Sequence, residues 1–125
     1  MATIEATLRT FFKTFDRLDF KSAMKMVDAA AEGSDELTKK WIRGKRAFEA
    51  YMKRVGPEIQ SIVSRFSSVR TRRLGRVGLA TYNMKQSYTL SGKRHTYDFV
   101  GSAVFVKRGA DWKVTLVHLT PVGGG

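Results

Sequence analysis

Apolar residues recur at Ile4, Leu8, Phe11, Phe15 and Leu18, at spacings of four, three, four and three, and this period predicts an amphipathic helix from Thr3 to Leu18. Thr3 can cap it, Glu5 lies in the positive first turn, and Lys13 and Arg17 lie toward the negative end. Asp19 offers the N-cap of a second helix with Phe20, Met24 and Val27 on one stripe and Gly33 as its stop. The stretch Leu37–Ile42 then reads as a short edge strand, on which Lys39 and Lys40 discourage further pairing. A third helix is expected from Gly44 to Val55, with Phe48, Tyr51, Met52 and Val55 as its apolar stripe and Gly56-Pro57 as its end.

After Pro57 the period changes to two. Residues 59–73, 77–90, 95–108 and 112–120 are rich in Val, Tyr, Thr and Phe. Turn signals at Leu74-Gly75, Ser91-Gly92 and Arg108-Gly109-Ala110-Asp111 separate them, which predicts a four-stranded antiparallel meander. Ala80, Tyr82, Met84, Gln86, Tyr88 and Leu90 alternate with Thr81, Asn83, Lys85, Ser87 and Thr89, so one face of the sheet is drier than the other. Gly78 and Gly101 interrupt strand-like runs, where a missing side chain marks a bulge, a bend or a close approach. In the last strand Trp112, Val114, Leu116, His118 and Thr120 share one parity, which puts the imidazole among apolar neighbours. Helices first and strands afterwards define an α+β domain with the helices over one face of a curved sheet.

The 125 residues fit one domain able to bury a core. No apolar run approaches the roughly 20 residues that span a bilayer. The N-terminus lacks the basic and apolar regions of a secretory signal, so no membrane partner and a cytoplasmic location are expected. Cysteine is absent, which excludes disulfides, thiol nucleophiles and Cys-based metal sites. A formal net charge of +12 attracts polyanions. Its densest clusters are Lys39–Arg46 and Arg70–Arg76, which would form one phosphate-binding face if they adjoin. Arg70, Arg72, Arg73 and Arg76 are the candidate contacts for an anionic partner, the other reading being a solvated basic surface. Only Trp41 and Phe66 interleave with these cations, so nucleic acid is not the favoured partner.

The order of helix, helix, short strand, helix opening at Gly44, and long strands ending in Trp112-Lys-Val-Thr-Leu-Val-His118-Leu-Thr120 resembles the nuclear-transport-factor-2-like superfamily. Within it, Asp19 at the helix corner, Gly44-Lys-Arg-Ala-Phe48 and Val77-Gly-Leu-Ala80 resemble the SnoaL-like and ketosteroid-isomerase-like branch. The resemblance implies a cone-shaped antiparallel sheet wrapped around the long first helix, with three helices followed by four long strands. It further implies one domain over residues 1–122, an apolar pocket at the wide end and a homodimer through the sheets; Gly123-Gly124-Gly125 reads as a tail. Ketosteroid isomerases use a tyrosine on the first helix, a general-base aspartate near the short strand and a protonated aspartic acid on a long strand. Here the corresponding stretches offer Phe11, Phe12 and Phe15, then Lys39, Lys40 and Trp41, then Gly101-Ser102-Ala103, which argues against that activity.

His118 has two readings, a general base suited to neutral pH or a hydrogen-bonded residue that positions the last strand. A metal site from His95, Asp98 and His118 is disfavoured because Asp98 points to the face opposite His95, and neither a metal nor a cofactor is expected. The candidate pocket residues are Trp41, Tyr51, Tyr82, Tyr97 and His118, joined by Tyr88, Met24, Met52 and Met84. The expected function is binding of a small apolar molecule, as in an isomerase, cyclase or hydrolase. The alternatives are a non-enzymatic dimeric binding or assembly module with a basic face, or an engineered variant of such a scaffold.

Overall fold

The apolar spacing at the start of the chain does build a helix. The computed structural model describes residues 3–35 and 39–124, and within them α1 spans Ile4–Asp16. The Thr3 hydroxyl accepts from the Ala6 amide at 3.0 Å to cap it, and Arg9 pairs with Glu5 one turn earlier at 3.2 Å. Leu18 takes a left-handed φ of 58° to end the helix, and Asp19 caps α2 (Phe20–Lys25) through the Ser22 amide at 3.1 Å.

The second helix is shorter than the sequence pattern suggests. It stops at Met26, and residues Val27–Asp35 form a strand, β1, rather than running helically to Gly33. The Ala29-Ala30-Ala31 run is a good helix former, but tertiary pairing overrides that weak preference: β1 hydrogen-bonds between two neighbouring strands. Gly33 has a packing role instead. The Phe48 ring lies against it so closely that a Cβ there would stand 2.8 Å from Phe48 Cζ. The edge strand β2 follows at Lys40–Arg43; the Leu37 and Thr38 end of the expected strand lies outside the described residues. Helix α3 covers Lys45–Val55, followed by a short 3-10 turn at Gly56–Glu58.

Strands β3 (Ile59–Leu74), β4 (Val77–Leu90), β5 (Lys93–Arg108) and β6 (Asp111–Gly124) form the antiparallel meander that the alternation predicts. Each joins the next through a two-residue loop, as Leu74 pairs with Val77, Leu90 with Lys93 and Arg108 with Asp111. Strand β1 lies parallel to β6, giving one six-stranded sheet of order β2-β1-β6-β5-β4-β3. The glycine end is part of β6: Gly123 pairs with Asp98 and Gly124 with Tyr97, where a Cβ on Gly124 would run into the Thr96 carbonyl.

The sheet curves over α1 as an α+β cone. Phe12 meets Phe66 and Tyr82 edge to face at 5.3 and 5.9 Å, while Leu8 and Phe105 are wholly buried. Ser68, at φ 53°, and Val69 stand together opposite Tyr82, a bulge that bends β3. Gly78 and Gly101 are close approaches: Ile4 packs onto the first, and the Tyr82 ring lies across the second. Asp16, at the end of α1, accepts from the Ser64 amide of edge strand β3 at 3.0 Å and from its hydroxyl at 2.8 Å, which fastens the helix to the sheet. Among the described residues no helix is long and apolar enough to cross a membrane.

Candidate ligand-binding cavity

Between the helices and the concave face of the sheet lies a cavity of about 470 Å³. That volume falls within the range of small-molecule sites. Phe11, Phe12 and Phe15 from α1 form one side, with Phe11 edge to face against both others at 5.5 and 5.1 Å. Phe48, Tyr51 and Met52 come from α3, because the stripe that the helical period aligns on one face is the face turned inward. Val114, Val117 and Leu119 of β6 and Tyr88 and Tyr97 of β4 and β5 supply the sheet wall. The rings of Tyr88, His95 and Tyr97 lie nearly parallel, with interplanar angles of 7–26°, and make a flat aromatic panel across two strands.

The polar chemistry of the cavity centres on Asp35. It ends β1, is 5% exposed, and accepts a hydrogen bond from the Tyr51 hydroxyl at 3.0 Å. Burial, and then the adjacent carboxylate, push the Tyr51 phenol above its ordinary value, so at neutral pH it remains a donor. On the other side Gln86 reaches the cavity and donates to the Ser64 hydroxyl at 3.0 Å, extending the link from Asp16. Lys39 lies at the cavity's edge and is exposed.

Of the residues singled out from sequence, Tyr51, Tyr88 and Tyr97 line this cavity, as do Met24 and Met52. Trp41 does not. On β2 the inward position belongs to Ile42, which leaves Trp41 55% exposed with the Arg43 guanidinium 5.9 Å from its ring. Tyr82 is buried in the core beside Phe12 and Phe66, with no hydrogen-bond partner for its hydroxyl among the described residues; Met84 is likewise core.

His118 lies on the outer face of the sheet, exposed, with Nε2 3.4 Å from the Thr120 hydroxyl. The reason is a bulge. Phe105 pairs with Val114 but Val104 pairs with Leu116, so Thr115 is an extra residue that reverses the parity of β6. Trp112 and Val114 face inward before it; Val117 and Leu119 face inward after it, and His118 is turned away from the cavity.

The basic clusters do not merge into one face. Lys39–Arg46 accompanies edge strand β2 and Arg70–Arg76 the opposite edge, β3, with four strands between. Arg70 and Arg72 share a shallow outer groove with Leu79 and Thr81. Arg73 instead sits 5.3 Å over the Trp112 ring, and Arg76 donates to the Lys107 carbonyl at 2.9 Å.

Asp35 is a cavity residue that the amino-acid pattern does not single out. The short-strand stretch that the resemblance singles out offers Lys39, Lys40 and Trp41, whereas Asp35 ends the strand before it. Its one sequence signal is the alternation Ala31, Gly33, Asp35, too poor in large apolar residues to reveal a strand.

A family model of the SnoaL-like domain matches residues 4–122, and the chain belongs to that family. No curated protein matches it in sequence. Among solved structures it is similar to a protein of the nuclear-transport-factor-2-like family from Streptomyces avermitilis assigned as a dehydratase, at 16% identity and TM-score 0.84 over 96% of this chain and 94% of that one. It is similar to a type 2 hexachlorocyclohexane dehydrochlorinase (11%, TM-score 0.79, 97% and 86% covered). The association domain of C. elegans CaMKII is also similar (16%, TM-score 0.72, 94% and 92% covered). At these identities the likeness is one of fold.

Proposed function

We propose that this chain binds a small, largely apolar molecule in the cavity under α1 and α3, with the Asp35–Tyr51 pair as its polar anchor. The observation that carries the reading is a buried carboxylate in a mainly aromatic and aliphatic cavity of about 470 Å³. An isomerase, cyclase or hydrolase working there needs a group that exchanges protons with the ligand, and Asp35 occupies that place; His118, on the far face, does not. Dehydratase and dehydrochlorinase relatives of the same fold support the small-molecule reading. The test is titration with the neutral apolar dye Nile red. The wild type binds it, and Val117→Trp, which fills the cavity from β6, weakens binding at least about tenfold while keeping a cooperative melt. Undiminished binding by that variant refutes the location.

Self-association through the sheet is supported by a separate observation. Val63, opposite Ser87, and Val100, opposite Asn83 and Thr120, are each 45% exposed on the outer face, and the association domain of CaMKII shares this fold. Sedimentation of the wild type against Val100→Lys tests it; equal, monomeric species in both sink the idea.

A further inference from the structure

The cavity and the surface carry opposite charge character. The chain has 23 Lys and Arg against 11 Asp and Glu, yet Lys39, exposed at the edge, is the one cation among the described residues that line the cavity. The lining carboxylates are Asp35, buried, and Glu32, which Arg43 Nε meets at 2.7 Å toward the outside. Tyr51 touches Asp35 directly, and the rings of Tyr88, Tyr97 and Phe48 line the same cavity. Tyr51 is held neutral by its raised pKa, so it adds a ring face and a hydroxyl without a second charge.

An aromatic enclosure with one buried carboxylate is the arrangement that recognises an organic cation. The ring faces are electron-rich, and attraction to a cation in contact with them strengthens once water is excluded. The carboxylate supplies a charge-assisted hydrogen bond to an N–H. A carboxylate or phosphate ligand would meet Asp35 as a like charge at short range, where solvent screens little. Arg54 sets its guanidinium 5.6 Å from the Tyr51 ring but is exposed to solvent, whereas Asp35 is buried in the cavity itself, so the local carboxylate decides the sign.

Building on the proposed binding function, we infer that the ligand is an amine: an apolar, ring-containing body that fills the cavity and carries a protonated nitrogen seated on Asp35. The nitrogen's desolvation makes the net preference moderate rather than large. The reading names no reaction, and the amine–Asp35 contact is a binding contact.

The experiment uses the whole chain and three probes that share a ring system and differ in charge: naphthylmethylamine, naphthylmethanol and naphthoic acid, each displacing Nile red at neutral pH. The expected order is amine, then alcohol, then acid, with the amine roughly tenfold tighter than the alcohol. Asp35→Asn, similar in shape but uncharged, brings the amine to within about twofold of the alcohol, and Arg70→Ser on the outer face leaves the order unchanged. An alcohol as tight as the amine, or a tighter acid, overturns the cation assignment and leaves the cavity reading standing. Binding of none of the probes, nor of Nile red, overturns the cavity reading along with it. The wild-type order is decisive by itself should Asp35→Asn fail to fold, and an Asp35→Asn protein that folds and retains the preference also overturns the assignment.

Discussion

The hydroxyl of Tyr51, on α3, donates to Oδ1 of Asp35, the last residue of β1, at 3.0 Å. One bond therefore joins the helix that covers the cavity to the strand that forms its edge. Asp35 is almost fully buried, so taking this donor away removes one hydrogen bond from a desolvated carboxylate. Tyr51→Phe is expected to lower stability by about 1–3 kcal/mol, read as a lower urea midpoint at unchanged slope. A midpoint equal to wild type would mean that water replaces the phenol without cost.

Tyr82 presents the opposite case. Its hydroxyl is buried with no partner among the described residues, and burial holds its phenol above the ordinary value of 10.0. Tyr82→Phe removes a desolvated group and keeps the ring that packs on Phe12 and Phe66, so it should gain roughly 1 kcal/mol at neutral pH. The sign with pH follows from the shift. A phenol whose folded pKa lies above its unfolded value contributes stability that is complete below the unfolded pKa and is lost as pH rises toward the folded one. Wild type should therefore weaken above about pH 10, Tyr82→Phe less so, and the gap between their urea midpoints should widen with pH. A gap that narrows would show Tyr82 ionising readily in the native state.

The alternation of β4, from Ala80 to Leu90, exposes the meander in the sequence because a sheet with one dry face must repeat every two residues. The cavity's helix side was also legible, since Phe48, Tyr51 and Met52 follow the helical period. Two features were not. After Val27, strand β1 is built from Asp, Ala, Glu, Gly and Ser, residues with no β preference, and it exists because β6 and β2 pair with it. The bulge at Thr115 leaves no trace in composition, yet by adding one residue it exchanges the two faces of β6 and moves His118 from the cavity to the outside. Asp35 was hidden by the first of these and His118 misplaced by the second, so the cavity could be anticipated better than its chemistry.

Gly101 tests how tightly the sheet is packed over the core. A Cβ there would stand 2.7 Å from Tyr82 Cζ and 2.9 Å from Leu119 Cδ2, and both neighbours are held: Tyr82 between Phe12 and Phe66, Leu119 at the cavity wall. Gly101→Ala should cost about 1–3 kcal/mol in urea unfolding, and it should alter Nile red affinity because Leu119 has to move. The matched Gly75→Ala, in an open turn, changes stability through its φ of +61° but meets no neighbour and should leave dye binding alone. Equal dye affinity in both variants would show that the core absorbs the extra methyl without disturbing the cavity.

The four arginines of the β3–β4 end divide by face, and this separates a role in anion binding from a role in the fold. Arg70 and Arg72 stand in the outer groove with Leu79 and Thr81, their side chains open to solvent. Arg73 stacks on Trp112 at 5.3 Å and donates to the Gly75 carbonyl at 2.9 Å, and Arg76 donates to the Lys107 carbonyl, so both are engaged with the hairpin ends. Replacing Arg70 and Arg72 together by Ser should lower the salt needed to elute the protein from heparin, because each lost contact removes a released counterion from the binding equilibrium. Replacing Arg73 and Arg76 should shift the melting temperature downward more than it shifts elution, since a cation over an indole is worth about 0.5–1 kcal/mol at an exposed site. If both pairs change elution equally, retention reflects only the +12 net charge and the outer groove holds no preferred anion contact.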